Sequence, residues 1–455
     1  MNLIEAINRR WKATISRRLN VLAIVVMLEL AGCATTKPIA DPSPTTASEE
    51  AQYTALYPYY AETCALSQIR KKPGFGADIS GGVGGHDVLY LNGVCRKHNE
   101  DYPVLTMCDE SQQRPVLDGV GVTVNGHFKN ANWVAIEGRD FFFNGDLAPG
   151  QVVNRAAYAA VQARARQQKI FDTIDFHEEY FKDMPADFSR SDYRYEISIA
   201  TDYAIGFARN RYCARVPLSR SQTIKLIDYL NGLNQPYRER QKIFDWNVLT
   251  HNCSHVNHNA LAAAGLWFHW PMDRPLLISA FDFPVPKNEF VNLMWRTNEM
   301  HIDDPEIMFK DKDAYLLLMT EGRLPTAPGA TADLGVLQTP NNIYETKSRI
   351  IFYDEPLTGS FQRRFNAIMS QPRFFRLREN LEYFEQLYLA ILAKWLPVET
   401  YLTRHPGIAN DKADQFRAFY QRYHAYIEDQ VQVVRRNLAF LNGAPAITTV
   451  RQISR

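Results

Sequence analysis

The chain has 455 residues, of which 46% are hydrophobic and 22% charged, and its formal net charge is +1. This length exceeds that of one average domain, and the composition excludes a wholly disordered or collagen-like chain. Residues 1–32 contain five basic and two acidic residues, so their removal changes the net charge to −2. Because there is no cationic surplus, we expect no nucleic-acid partner.

The N-terminus has the features of an export signal. Residues 1–20 are rich in basic side chains, residues 21–30 are mostly apolar, and small residues follow at 31 and 32. A permanent transmembrane helix needs about 20 apolar residues, so this stretch is too short to be one. We therefore interpret residues 1–32 as a signal peptide.

The tetrapeptide Leu-Ala-Gly-Cys at 30–33 resembles the lipobox of bacterial lipoproteins. The resemblance implies cleavage before Cys33 and acylation of its thiol, with chains such as palmitate. By the sorting logic of such lipoproteins, Ala34 in place of an aspartate implies an outer-membrane anchor that faces the periplasm. The membrane is then a partner through the N-terminal lipid. Residues 33–55 contain Pro, Ser and Thr without apolar periodicity, which predicts a flexible tether.

The cysteine count is informative for an exported chain, because that compartment is oxidising. If Cys33 carries lipid, five cysteines remain, and an odd remainder indicates one free thiol. Cys95 and Cys108 end two adjacent apolar runs, so we favour a disulfide between them. The other candidates for pairing are then Cys64 and Cys213.

The remaining elements follow in chain order. Short β-branched or alternating runs predict strands at 85–95, 103–108, 119–125 and 132–137. Ala- and Gln-rich residues favour a helix within 150–170, and a further helix is expected over 219–234, starting at Ser219 or Ser221. Frequent proline and weak periodicity predict an irregular connection over 281–355. Residues 356–445 contain two long helical repeats of apolar residues, which predict a helical hairpin.

Cys253 is the strongest candidate for a catalytic residue. Asn252 is a favourable N-cap, an Ala-rich run follows, and Gly265 is a favourable stop. Cys253 would then be the first residue of a helix, where the partial positive charge stabilises a thiolate and free N–H groups can hold an oxyanion. His255 and His258 project from other faces of this helix.

A thiol nucleophile needs a base, and His86 fits that role at the start of a strand after a glycine-rich segment. A third group would orient the imidazole, and His127 and Asn132 are both candidates beside later strands. We rank His127 first and keep Asn132 as the alternative. Glu196 and Asp202 have no site-like spacing and are interpreted as solvated acids.

An early Gly-His strand followed by Asn-Cys-x-His at the head of a helix resembles the circularly permuted papain-like families. These are relatives of the NlpC-type peptidases and include lecithin–retinol acyltransferase. The chain is also similar to a periplasmic domain of unknown function with the same two motifs. The resemblance implies an α+β fold over 56–280, with Cys253 as nucleophile, His86 as base, and Asn252 and His255 at flanking motif positions.

Zinc is a rival explanation, because His251, Cys253, His255 and His258 lie within eight residues. Residues 253 and 255 point about 200° apart on a helix, which argues against a single site. We therefore expect no metal and no cofactor. The sequence favours thiol-based amide hydrolysis or acyl transfer on a cell-wall peptide or an acyl lipid. The alternative is a non-catalytic envelope lipoprotein that binds a partner or cell-wall fragment with the same fold.

Overall fold

The computed structural model describes residues 46–73, 85–108, 118–247, 251–267, 286–335, 338–345, 361–408 and 410–443. The signal peptide expected at 1–32, the lipidation site Cys33 and the first part of the tether lie outside these residues. The described residues form a mixed α+β structure with thirteen α-helices, an antiparallel sheet and a helical C-terminal region. The α+β class expected from the sequence is therefore confirmed at that level.

The main sheet has six strands in the order β6-β5-β2-β1-β7-β8, and all neighbouring strands are antiparallel. Strands β3 and β4 pair separately. The strands are β1 (Tyr60–Leu66), β2 (His86–Asn92), β3 (Val94–Arg96), β4 (Leu105–Met107), β5 (Gly119–Thr123), β6 (Val134–Glu137), β7 (Arg211–Pro217) and β8 (Thr331–Gly335). Strands β2 to β6 fall in the four segments predicted from alternation, whereas β1, β7 and β8 were not predicted.

The register of the sheet brings the end of β1, the start of β2, the end of β5 and the start of β7 to the same side of the sheet, which is called the strand-end edge below. Leu66, the last residue of β1, lies opposite both His86, the first residue of β2, and Arg211, the first residue of β7. Thr123 is the last residue of β5, which pairs antiparallel with β2 and ends at the same side. This edge is where the candidate site lies.

The helices cover the sheet and form the C-terminal region. They are α1 (Ala47–Leu56), α2 (Arg139–Asn144), α3 (Arg155–Gln167), α4 (Arg190–Ser198), α5 (Arg220–Arg238), α6 (Cys253–Ala263), α7 (Pro286–Glu299), α8 (Pro305–Lys310), α9 (Lys312–Glu321), α10 (Phe361–Ser370), α11 (Leu377–Ala393), α12 (Val398–Arg404) and α13 (Ala413–Leu441). Ser219 caps α5 as predicted, and Gln222 completes its capping box.

Helix α1 corrects the expected extent of the tether. Thr46 and Glu49 form a capping box at its start, and Tyr53 is 3% exposed with its ring 5.3 Å from that of Tyr60. Residues 47–55 are therefore helical and packed on the sheet. The sequence signal was weak because a buried tyrosine and ion pairs such as Glu50 with Arg215, rather than a periodic apolar stripe, attach this helix to the fold.

The irregular connection expected over 281–355 is also corrected, because residues 286–335 contain α7, α8, α9 and β8. The prolines do not all interrupt structure, since Pro286 and Pro305 are the first residues of helices. That position needs no backbone N–H donor, so proline is tolerated there. Asp304 caps α8 by accepting from the N–H groups of Glu306 and Ile307.

The C-terminal helices α11 and α13 pack against each other, as the expected hairpin requires. Their core contains residues of the predicted apolar stripes, including Leu381, Phe384, Tyr388, Tyr423 and Val431. The same core also contains residues from α8 and α9, such as Met308 and Leu318. The segment before 356 is thus part of the C-terminal packing unit rather than a passive connection.

Two disulfides join the pairs that the sequence favoured. Cys64 of β1 bonds Cys213 of β7, and Cys95 of β3 bonds Cys108 just after β4. Among the described cysteines, Cys253 is the one outside a disulfide. No helix in the described ranges combines the length and apolar character needed to span a bilayer.

Candidate active site

Cys253 is the first residue of α6, as the capping pattern predicted. The side chain of Asn252 accepts a 3.0 Å hydrogen bond from the N–H of His255, and Gly265 has a positive φ of 72° just after the helix. Helix α6 packs against β2 and α5, and the thiol of its first residue bonds the backbone N–H of Asp87, the second residue of β2, which places it near the start of that strand. The thiol is 7% exposed.

His86 begins β2 directly after Gly85, and the glycine is required there. Gly85 has a φ of 79°, and a Cβ at this position would lie 2.2 Å from the carbonyl oxygen of Leu66. Only glycine allows this close approach of the two strands. The approach fixes where the His86 side chain leaves the sheet.

The hydrogen bonds of His86 determine its tautomer. Its Nε2 lies 3.0 Å from Oγ1 of Thr123, and that hydroxyl donates to Oδ1 of Asp202 at 3.1 Å. A threonine hydroxyl has one hydrogen, so Thr123 must accept from Nε2–H of His86. Nδ1 of His86 is then the unprotonated nitrogen, which is the form that can accept a proton from a thiol.

His127 does not orient His86 directly, which corrects the expected third member of the site. Its Nε2 bonds Oδ2 of Asp202 at 3.0 Å, and its ring stacks on Phe176 with 4.5 Å between centroids. His127 therefore holds Asp202, and Thr123 is the residue that contacts His86. The interpretation of Asp202 as a solvated acid is wrong, because this carboxylate is fully buried.

The alternative orienting residue, Asn132, lies elsewhere. Its backbone N–H donates to Oδ1 of Asn234 at 2.7 Å, and its side chain bonds Tyr237. In the described part of the chain, the ring of His86 bonds Thr123 and not Asn132. Asn132 therefore belongs to the packing of β6 against α5.

The electrostatics of the site favour neutral resting groups. Burial, reinforced by the negative charge of Asp87, raises the pKa of the Cys253 thiol to about 12, despite hydrogen bonds from the N–H groups of Asp87 and Ser254. Burial, together with the positive charge of Arg209, lowers the pKa of His86 to about 3. The expected thiolate at the helix N-terminus is therefore wrong for the resting protein, because desolvation outweighs the helix dipole.

Asp202 is the charged member of the His86 cluster. Burial alone would raise its pKa, but the charge of His127 and the hydrogen bonds from His127 and Asn125 lower it overall. An ionised carboxylate accepts hydrogen bonds and donates none, which supports the donor assignment of Thr123.

A second buried polar cluster lies beside Cys253. Asp87 follows His86 in β2, and its carboxyl accepts a 3.2 Å hydrogen bond from Thr63. Burial and the charge of Glu289 raise the pKa of Asp87 to about 8. Glu289 itself lies 2.8 Å from Nδ1 of His258. Asp87 contributes both its backbone N–H and, once ionised, a negative charge to the surroundings of the thiol.

The flanking histidines have structural surroundings. His255 is 3% exposed, and burial, with the charges of His258 and His251, lowers its pKa to about 3. Among the described residues, the side chains of Glu62, Cys64 and Cys213 lie close enough together to hold a metal ion, but the two sulfurs are joined in a disulfide. The rival zinc quartet of His251, Cys253, His255 and His258 does not form such a group in the described structure.

Three site residues escaped the sequence analysis: Thr123, Asp202 and Arg209. Thr123 lies in the strand predicted at 119–125 and is the last residue of β5, so its proximity to the start of β2 could have been inferred from strand pairing. Asp202 and Arg209 lie in connecting segments between α4 and β7, where no periodicity places a side chain.

No protein-family model, curated protein or solved structure matches this chain.

Proposed function

We propose that the protein is a thiol-dependent hydrolase or acyltransferase with a permuted papain-like domain. The observation that carries this proposal is the tautomer of His86, in which Thr123 and Asp202 fix Nε2 as the donor and leave Nδ1 as a base. The second support is Cys253 at a helix N-terminus beside the peptide of Asp87, the residue next to His86.

The chemistry follows from the neutral resting pair. As the sulfur of Cys253 forms a bond to the substrate carbonyl carbon, its proton moves to Nδ1 of His86. The carbonyl oxygen becomes an oxyanion, for which backbone N–H groups near Cys253 are the available donors. Collapse breaks the bond to the leaving amine or alcohol, which takes the proton from His86, and a thioester remains on Cys253. Water or an acceptor then releases the acyl group.

The envelope assignment rests on the sequence motif at 30–33. In this proposal the mature protein is anchored to the periplasmic face of the outer membrane by lipid on Cys33, and its substrate is a cell-wall peptide or an acyl lipid. Labelling of cells with an alkyne-tagged palmitate tests the anchor. The label is expected on the wild-type chain and not on Cys33→Ala, and equal labelling of both would contradict it.

The burial of Cys253 and its raised pKa favour a second candidate, the non-catalytic envelope lipoprotein. The two functions differ in whether the native thiol forms a thioester. Incubation with p-nitrophenyl acetate, followed by acid quenching and peptide mass spectrometry, tests this point. An acetyl group on Cys253 that is absent in Cys253→Ala and strongly reduced in His86→Asn supports catalysis. A native thiol that stays unmodified while the denatured chain is acetylated supports the binding function.

A further inference from the structure

Arg209 lies at the same strand-end edge as the candidate site. It precedes β7 by two residues, and Asn210 exchanges hydrogen bonds with Ser67, which follows β1. The neighbouring strand end is that of His86, opposite Leu66. The charge of Arg209 acts on His86, and the guanidinium in turn interacts electrostatically with Cys253.

Two nitrogens of the Arg209 guanidinium are buried without a hydrogen-bond partner among the described residues. The residue is 4% exposed, and its Nε and Nη1 have no hydrogen-bond partner in the described structure. Arg215, which is 2% exposed, provides the contrast, because its Nη1 lies 2.7 Å from Glu50 and its Nη2 lies 3.5 Å from Glu62. A buried cation ordinarily has such acids beside it, since leaving it unpaired is costly.

No ion pair joins Arg209 directly to a carboxylate of the described residues. Asp202 acts on it electrostatically, but both oxygens of Asp202 accept hydrogen bonds from other groups, including Thr123, Asn125 and His127. Burial lowers the pKa of Arg209 to about 10, so the guanidinium stays protonated at neutral pH. The site therefore holds an ionised guanidinium that acts on both the nucleophile and its base, and its Nε and Nη1 have hydrogen atoms without an acceptor among the described residues.

We propose that Arg209 binds a carboxylate of the substrate, so that the acyl compound attacked by Cys253 carries a free carboxylate close to the reacting carbonyl. This inference rests on the proposed function and names its substrate class. A carboxylate matches the planar guanidinium and its single charge. A phosphate dianion would add two negative charges to a buried site that already contains the ionised Asp202.

Carboxylate binding also has a consequence for the base. The positive charge of Arg209 is one of the causes that lower the pKa of His86. A bound carboxylate would offset that charge, so His86 becomes a stronger base when the correct substrate is present. The thiol is then weakly reactive in the resting site, and the carboxylate of the bound substrate raises the basicity of His86.

The test compares two thiol reagents of similar length on the full-length protein, with modification of Cys253 followed by peptide mass spectrometry. One reagent is 2-carboxyethyl methanethiosulfonate, which is anionic, and the other is the neutral propyl methanethiosulfonate. We expect the anionic reagent to react at least about 10-fold faster than the neutral one with wild type, corresponding to about 1.4 kcal/mol. The preference should disappear in Arg209→Met and be retained in part in Arg209→Lys.

Arg240→Met is the matched control. The side chain of Arg240 is 77% exposed, so this substitution removes the same charge from the protein surface. The control should keep the wild-type ratio. A wild-type ratio near one, or an unchanged ratio in Arg209→Met, would overturn the proposal, and the wild-type ratio is informative even if the variants fold poorly. Both reagents modify a thiol without acylating it, so this experiment tests the Arg209 proposal independently of catalysis. The acylation of Cys253 by p-nitrophenyl acetate tests the catalytic proposal, and its failure would contradict that proposal instead.

Discussion

Nε2 of His86 and Oγ1 of Thr123 lie 3.0 Å apart, and the threonine hydroxyl donates a hydrogen bond to Asp202. This relationship gives the imidazole one defined tautomer without any charge on the ring. Here a hydroxyl is placed between the ring and a buried carboxylate, which makes Thr123 a positioning residue rather than a catalytic one.

Thr123→Val removes the acceptor of the His86 Nε2–H bond while keeping a β-branched side chain in β5. We expect the rate of Cys253 acylation by p-nitrophenyl acetate to fall by about 10- to 100-fold, because part of the general-base contribution is lost. Thr123→Ser keeps the hydroxyl and should restore most of the rate. Equal rates in wild type and Thr123→Val would show that the tautomer is irrelevant to the thiol.

Asp202→Asn removes the charge that His127 and Thr123 contact. The substitution leaves buried donors that bond this carboxylate poorly satisfied, which costs about 1–3 kcal/mol in the free energy of unfolding. The folded-state pKa of Asp202 is lowered, so its stabilisation is present above the unfolded-state pKa of about 3.9 and is lost as the pH falls through the folded pKa. Urea unfolding between pH 3 and 7 should therefore show a shallower acid decline in Asp202→Asn than in wild type, and parallel curves would contradict this account.

Asp87→Asn tests the second buried cluster. The folded-state pKa of Asp87 is raised to about 8, so the folded protein holds a proton that the unfolded chain releases, and stability should fall as the pH rises from about 4 to 8. The variant should lack this decline. It should also react faster with iodoacetamide at pH 9, since an ionised Asp87 raises the pKa of the thiol. Slower alkylation in Asp87→Asn would be inconsistent with this assignment.

Arg209→Met is expected to stabilise the protein. Replacing an unpaired buried charge by an apolar side chain of similar length removes its desolvation cost, and such replacements can stabilise by about 1–4 kcal/mol. Chemical denaturation at pH 7 measures the change, with Arg240→Met as the surface control. A strongly destabilised Arg209→Met would indicate that the guanidinium is a structural group, and a stabilised one would indicate a charge kept for binding.

Asn252→Ala tests the N-cap of the nucleophile helix. Loss of a side-chain N-cap costs about 1 kcal/mol, and Asn252→Ser should recover most of it because serine also caps well. The bond from the N–H of His255 to Asn252 is the contact that disappears. An Asn252→Ala variant as stable as wild type, by urea unfolding at pH 7, would show that the cap is dispensable.

The sequence predicted best those features that depend on local patterns. The start of α6 at Cys253 followed from Asn252 and the alanine run, and strands β2 to β6 followed from alternation bounded by glycine and asparagine. Strands β1 and β7 escaped because neither segment has a regular alternation of polar and apolar residues. Glu62 in β1 and Arg215 in β7 also weaken the apolar signal of these strands, because charged residues are rarely buried. In the structure the two side chains form an ion pair inside the fold.

The site was harder to predict than the fold, because its partners are distant in the chain. The pairing of His86 with Thr123 spans 37 residues, and that of Thr123 with Asp202 spans 79. The helix-dipole argument predicted the right position for Cys253 but the wrong direction for its pKa, because burial is visible only in three dimensions. His127 was correctly associated with the cluster, although its partner is Asp202 rather than His86.

The most direct test of the central claim is the second-order rate of Cys253 acylation by p-nitrophenyl acetate at pH 7, measured on native wild type, native His86→Asn and the denatured wild-type chain. The account predicts that native wild type reacts fastest and that His86→Asn is at least about 100-fold slower, as expected for loss of a general base. A native thiol that reacts no faster than the denatured one, or that reacts equally well without His86, would contradict it.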